Sequence, residues 1–175
     1  MRFEPATHSR RAFLLGCAAG LLAPAARAAH LTVGAPAPPT TLVTLEGRSI
    51  STADLRGQVV VVTFWATYCS PCRTELPLLS RFAAEHAPEG LTVLGFCADG
   101  EESLAEVTRI ARDLSFPVGL LSRSRADGYG RIWRLPVSFT IDRAGRLASD
   151  GWREKDPVLT AASLESLVTP LLRAG

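Results

Sequence analysis

Two cysteines stand two residues apart in the stretch WATYCSPCRTELP, which runs from Trp65 to Pro77. Cysteines at this spacing can grip a metal, staple a small loop, or exchange electrons as dithiol and disulfide. A structural zinc site wants four ligands, usually with a second Cys or His pair at similar spacing. Beyond residue 30 only Cys97 and His86 could serve, and each stands alone. A staple between Cys69 and Cys72 closes a loop so short that it constrains little of the unfolded chain. Electron exchange needs a stabilised thiolate, so the elements around the pair decide the matter.

Gln58 to Trp65 reads QVVVVTFW. Four consecutive valines cannot alternate between core and solvent, so the run predicts a central strand buried on both faces. Ser70 to His86 follows with Leu76, Leu79, Phe82 and Ala83 at helical spacing and Gly90 beyond its end. Cys69 thus falls where a strand ends and a helix begins. The first N–H groups of a helix have no internal partners, and its dipole is positive there. A thiolate is stabilised at that place, which lowers its pKa. Pro71 has no N–H to lose and suits the first helical turn. Cys72, one turn on, is near enough to bridge Cys69. The arrangement suits attack by Cys69 on an external disulfide and release by Cys72.

The remaining pattern predicts the frame. Gly34 to Pro39 is an extended, proline-stiffened segment. Thr40–Thr44 and Ser49–Ser51 flank a hairpin turn at Glu46-Gly47, and Thr52 to Gly57 reads as one helical turn. Leu91–Phe96 is a second apolar strand. Glu101–Leu114 is an amphipathic helix with Leu104, Val107, Ile110, Ala111 and Leu114 on one stripe. Phe116–Leu121 is a short strand, Val137–Ile141 and Arg146–Ala148 a hairpin, and Ala161–Leu172 a closing helix that kinks or stops at Pro170. Strand–helix alternation followed by a hairpin predicts an α/β fold with a mixed central sheet, flanked by helices on both faces.

The chain has 175 residues, 47% hydrophobic and 21% charged, which suits one globular domain. Its net charge of +2 is unevenly placed. The first 28 residues carry Arg2, Arg10, Arg11 and Arg27 against Glu4 alone, so the remainder is close to neutral. Such a surface has no reason to seek nucleic acid or acidic lipid, and the basic run Arg123–Arg134 reads as a solvated face. Basic residues, an apolar run from Ala12 to Ala23 and the triplet Ala26-Arg27-Ala28 predict a cleavable export signal over residues 1–28. SRRAFLL, Ser9 to Leu15, resembles a twin-arginine signal. Retention of this segment as an anchor is the alternative. Export to a periplasm allows disulfides and leaves three cysteines in the domain of residues 29–175, of which Cys97 is read as a small buried hydrophobe. His86 reads as a surface helix residue. His30, near the expected new N-terminus, is a weak copper-ligand alternative.

FWATYCSPCRTELP resembles the active-site stretch of the TlpA/ResA-like branch of the thioredoxin superfamily. The resemblance extends through Gly34, Pro36 and Pro38, Leu55-Arg56-Gly57, Tyr129-Gly130, Leu135-Pro136 and Phe139 to Arg146. It implies a thioredoxin-like fold with an N-terminal β extension and a thiol–disulfide oxidoreductase of the protein-disulfide reductase type. Cys69 then resembles the nucleophile and Cys72 the resolving cysteine of a redox disulfide. Pro136 resembles a cis-proline, and Leu135 before it presents backbone groups to a bound peptide. Trp65 and Tyr68 border the pair on the substrate side. Glu75 resembles an acid that tunes the thiols; otherwise it is an exposed glutamate favoured by the helix dipole.

The sequence departs from that pattern at three positions. Thr63 stands where many relatives hold an aspartate or asparagine, Tyr68 where tryptophan is usual, and Val137 where threonine is common. Thr63 cannot relay a proton at ordinary pH, so proton handling falls to Glu75 or water. The resemblance implies partners with protein disulfides or thiols, a membrane thiol transporter as reductant, and roles in cytochrome c or copper-site maturation. A monomer is expected. No organic cofactor is implied, since no G-x-G-x-x-G follows a strand, and no metal is expected in the enzyme reading. The rival reading is a copper(I) carrier using Cys69 and Cys72 as soft ligands. A peroxidase of the peroxiredoxin type shares the fold, but its reactive cysteine is not ordinarily the first of a C-x-P-C pair.

Overall fold

The computed structural model describes Met1 and residues 31–174. The expected export segment, Met1 apart, and His30 lie outside the described residues. A hairpin of β1 (Thr41–Val43) and β2 (Ser49–Ser51) precedes the main sheet. That sheet holds five strands in the order β5-β4-β3-β6-β7: β3 (Val59–Trp65), β4 (Leu91–Cys97), β5 (Val118–Leu120), β6 (Val137–Ile141) and β7 (Leu147–Ser149). Strands β3, β4 and β5 are parallel, and β6 and β7 add antiparallel partners. All seven residues of β3 are buried, as the valine run requires.

The side-chain period of two divides β3 between two cores. Val59, Val61 and Trp65 join Val93, Cys97, Val118 and Leu120 under the helices α1 (Ser70–His86), α2 (Leu104–Ala111), α3 (Ala161–Leu167) and α4 (Thr169–Arg173). Val60, Val62 and Phe64 join Leu94, Phe96, Val137, Phe139 and Ile141 on the other face. That second face is covered by Leu42 and Ile50 of the hairpin and by short 3-10 turns carrying Leu55, Leu121 and Tyr129. The expectation of helices on both faces is therefore corrected, because all four α-helices pack on one. The reason is the strand order. Stepping from β3 to β4 to β5 in one direction with right-handed crossovers places both connecting helices on the same side.

Three elements also differ from the sequence reading by more than one residue at an end. The helix expected over Glu101–Leu114 is α2 with a 3-10 turn at Glu101–Ser103 before it. At its end Asp113 and Leu114 bond back three residues, to Ile110 and Ala111, so the last turn tightens. Strand β5 is shorter than Phe116–Leu121, since Pro117 has no N–H for a ladder and Leu121 opens a 3-10 turn. The closing helix breaks at Val168, which ends α3 and caps α4 ahead of Pro170.

The N-terminal extension is tied to both edges of the sheet. Gly34 and Ala37 donate backbone N–H groups to Leu147 and Gly145, and Leu147 donates to Ala35. This pairing covers the β7 edge, which would otherwise expose unpaired backbone groups. At the opposite edge the Leu45 N–H donates to the Val118 carbonyl at 2.9 Å. Gly119 lies beneath that contact, and a Cβ there would collide with the Val43 carbonyl. Gly119→Ala should therefore cost roughly 2 kcal/mol or more of stability, read by urea denaturation, and should speed amide exchange at Leu45. An unchanged midpoint and unchanged exchange would show that the hairpin is not seated this way.

Candidate active site

The strand that carries Trp65 gives way to α1 through Ala66, Thr67 and Tyr68. Cys69 caps the helix, with extended backbone at φ −85° and ψ 103°. Its Sγ accepts the Cys72 N–H at 3.2 Å, and its carbonyl accepts the Arg73 N–H at 3.2 Å. Cys69 and Cys72 form a disulfide with Cα atoms 5.3 Å apart, within the ordinary range. The first turn of α1 carries no acid, so no side chain there offsets the positive end of the dipole. The two sulfurs are unequal in access: Cys69 is 8% exposed and Cys72 1%. Only Cys69 lies at the rim.

The loop leading into Cys69 is held by Asp99, just past the end of β4. The Asp99 carboxylate accepts the Thr67 N–H at 2.8 Å and the Thr67 hydroxyl at 2.5 Å. The Cys97 thiol donates to the same carboxylate at 3.1 Å. Ala98 adds a backbone bond to the Trp65 carbonyl at 2.8 Å. Burial pushes the Asp99 carboxyl up, but the bonds from Thr67, Cys97 and Ser103 outweigh it and hold it below the usual range. Cys97 is fully buried, and burial pushes its thiol up to about 12. It is thus the inert core thiol expected of an unpaired cysteine. The sequence reading missed Asp99 and Thr67. The available signal was a carboxylate immediately after a buried parallel strand, at the carboxyl end of the sheet where such folds place their sites.

Glu75 follows Cys72 by three residues on α1, which puts the two on neighbouring positions of one helical face. It is 2% exposed, so the reading of an exposed first-turn glutamate is set aside. Its Oε2 accepts the Leu159 N–H at 2.7 Å, tying α1 to the segment before α3. Burial pushes the Glu75 carboxyl up to about 7; the Leu159 bond pulls it back in part, and Asp156 pushes it further. Thr63 is fully buried and accepts the Ser138 hydroxyl at 2.9 Å. The Ser138 hydroxyl thus finds its acceptor inside the core, and neither hydroxyl carries a charge there.

The Leu135-Pro136 bond is cis, as the sequence suggested. Val137 pairs with Phe64, so Pro136 emerges at the end of the sheet where β3 runs out toward Cys69. Leu135 packs against both cores, including the one that holds the two cysteines. Pro136 and Val137 are buried, and Tyr68 is 75% exposed. Trp65, placed on the substrate side by the sequence reading, has no exposed surface. It packs in the cysteine-bearing core, so its contact with a partner is corrected to support from within. Two aromatic residues that the sequence reading did not single out lie just upstream and downstream of β6–β7: Trp133 stacks on Trp152 with ring centroids 5.4 Å apart. Among the described residues, no three His, Cys, Asp or Glu side chains form a group that could hold a metal ion, and none of the described helices is long and apolar enough to cross a membrane.

Residues 33–149 match the AhpC/TSA family. The chain is 31% identical over 117 residues to the thiol-disulfide oxidoreductase ResA of Bacillus cereus, covering 67% of this chain and 68% of that protein. It is 32% identical over 114 residues to the thioredoxin-like protein YneN of Bacillus subtilis, covering 64% and 66%. Among solved structures, a thioredoxin-family thiol:disulfide interchange protein from Chlorobium tepidum superposes with a TM-score of 0.66 at 28% identity, covering 82% of this chain and 99% of that one. The thioredoxin domain of a thiol-disulfide oxidoreductase from Bacteroides vulgatus gives 0.64 at 27% identity, again covering 82% and 99%. With a Cys-x-x-Cys disulfide at a helix N-terminus on this sheet, the chain belongs to the AhpC/TSA family of thioredoxin-like proteins, within the ResA-type thiol–disulfide oxidoreductases.

Proposed function

We propose that this thiol–disulfide oxidoreductase is exported and reduces disulfides of partner proteins in the periplasm, with maturation of cytochrome c or copper-site proteins as the setting. The observation that carries the reading is the unequal pair: a rim cysteine at the N-terminus of α1 bridged to a buried one a turn away. In the reduced protein the Cys69 thiolate attacks one sulfur of the partner's disulfide. A mixed disulfide forms and the partner's other sulfur leaves as thiolate. Cys72 then loses its proton and attacks the Cys69 sulfur, which releases the second partner thiolate and restores the Cys69–Cys72 bond. Two electrons pass to the partner, and a membrane thiol transporter returns them. Tyr68, Leu135 and Pro136 border the place where the partner's chain lies, and Trp65 supports the pair from beneath.

Glu75 is the group suited to the proton of Cys72. It is buried one turn away, and its pKa of about 7 lets it take up or give a proton near neutrality. Thr63 and Ser138 cannot do this at ordinary pH.

Cys69→Ser should abolish insulin reduction by the purified protein, and activity retained in that variant would defeat the assignment of the nucleophile. Cys72→Ser should accumulate mixed disulfides at Cys69 with natural partners, and mass spectrometry of the trapped species names them. Glu75 also makes stability depend on pH. Its folded pKa stands above the unfolded value, so its contribution is fully present below about 4.5 and is lost as pH rises through about 7. Relative to Glu75→Gln, the oxidised protein should lose roughly 3 kcal/mol of stability between those limits. A difference that stays constant with pH in urea titrations would show that Glu75 ionises as an ordinary carboxylate.

A further inference from the structure

The Trp133–Trp152 pair is built into the fold more firmly than a solvated loop requires. Trp152 donates its Nε1–H to the Tyr129 carbonyl at 2.9 Å and meets Phe139 edge-on at 5.8 Å. Trp133 lies over it with planes 14° apart and is 69% exposed. The Arg134 guanidinium sits 5.5 Å from one ring centroid and 5.8 Å from the other. It is held by the carbonyls of Gly151 and Glu154. An exposed indole fixed in this way has already lost its side-chain freedom, so little ordering remains when something docks on it.

The stack forms one wall of a cavity of about 430 Å³, completed by Leu31, Tyr129, Arg131 and Arg153. Its charge is cationic. Of the two arginines that line it, Arg131 has no carboxylate partner within 4.0 Å among the described residues, while Arg153 pairs with Asp150 at 3.4 Å. Asp150 is the one acid in the wall. It is 5% exposed, and its other oxygen accepts the Trp152 N–H at 3.1 Å. The wall therefore offers guanidinium groups and ring faces to a ligand and almost no accessible negative charge.

Its position ties it to the disulfide. Leu135 packs against the core of Trp152 and Tyr129 on one side and against the core of Cys69 and Cys72 on the other. Trp133 precedes Pro136 by three residues, a span of at most about 10 Å. A partner segment that runs from Cys69 past Leu135-Pro136 can therefore reach this wall.

We infer that the Trp133–Trp152 stack, braced by Arg134, forms with Arg131 and Arg153 a docking surface for an extended, carboxylate-bearing segment flanking the reactive cysteine of the partner protein. This rests on the disulfide-exchange function proposed above and names the chemistry of its substrate. Carboxylates find the guanidinium groups, and the chain or its apolar side chains lie on the indole faces.

The test uses the full-length protein, reduced beforehand, and short synthetic peptides. Each peptide has a single cysteine blocked by 2-mercaptoethanol as a neutral mixed disulfide. The third residue on either side of the cysteine is glutamate, glutamine or lysine. The glutamate peptide should be reduced roughly tenfold faster than the lysine peptide at low ionic strength, and the ratio should shrink in high salt. Arg131→Glu, at an exposed side chain, should collapse or invert that ratio. Trp133→Ala should slow the glutamate peptide even where its charge contrast survives. Equal rates for the three peptides, all of them reduced, would overturn the docking surface and leave the oxidoreductase reading standing. So would a ratio unchanged in Arg131→Glu. Equal peptide rates together with binding to phosphatidylglycerol vesicles that Arg131→Glu abolishes would also overturn it and assign the patch to a membrane. No reduction even of the glutamine peptide would overturn both readings.

Discussion

The N-terminus of α1 is pinned against the carboxyl end of β3, and the chemistry of the pair depends on that junction. A thiol at this point receives the free N–H groups of the helix and the positive end of its dipole, and Cys69 Sγ already accepts the Cys72 N–H. Such an effect decays within the first turn, so a displacement of a few ångströms would forfeit it. Three residues of connecting loop could supply that displacement. They do not, because Asp99 grips Thr67 by both its backbone and its hydroxyl while the Cys97 thiol and Ser103 hold Asp99. The buried strands β3 and β4 are thereby extended as a rigid frame up to the residue before Tyr68.

The two faces of the sheet divide the work. The helical face surrounds the disulfide with Trp65, Leu76, Leu79 and Val107 and buries Glu75 beside Cys72. Burial there raises the carboxyl of Glu75 into the neutral range, and the same packing keeps Cys72 from solvent. The opposite face has no α-helix. Hairpin, 3-10 turns and the segment between β5 and β6 cover it, and this irregular cover brings Tyr129, Trp133 and Trp152 to the edge nearest Leu135. The face that buries the disulfide and Glu75 is regular and closed, while the opposite face is covered by loops, which carry side chains without disturbing the core.

Much of this was legible in the sequence where one physical rule dominates. Four valines in a row suit a doubly buried strand, and a cysteine between such a strand and a helix with proline in its first turn falls at the helix N-terminus. The kink near Pro170 and the hairpin at Asp142–Gly145 follow from equally local rules. What stayed hidden depends on strand order or on distant contacts. Alternating strands and helices do not reveal that β3, β4 and β5 step in one direction, and that step alone decides which face the helices occupy. The resemblance marks Glu75 as an acid near the thiols, but its burial and its partner come from the segment at Leu159, 84 residues on. Trp133 and Trp152 lie in irregular segments without periodicity, so no pattern in the letters announces their stack.

The central claim is that position at the helix N-terminus, and not membership of a Cys-x-x-Cys pair alone, makes Cys69 the reacting thiol. Brief alkylation of the reduced protein with limiting iodoacetamide, followed by peptide mapping, tests it most directly. The label should fall on Cys69 in roughly tenfold or greater excess over Cys72, with Cys97 unlabelled until the protein is unfolded. Equal labelling of Cys69 and Cys72, or a faster reaction at Cys72, would contradict the account.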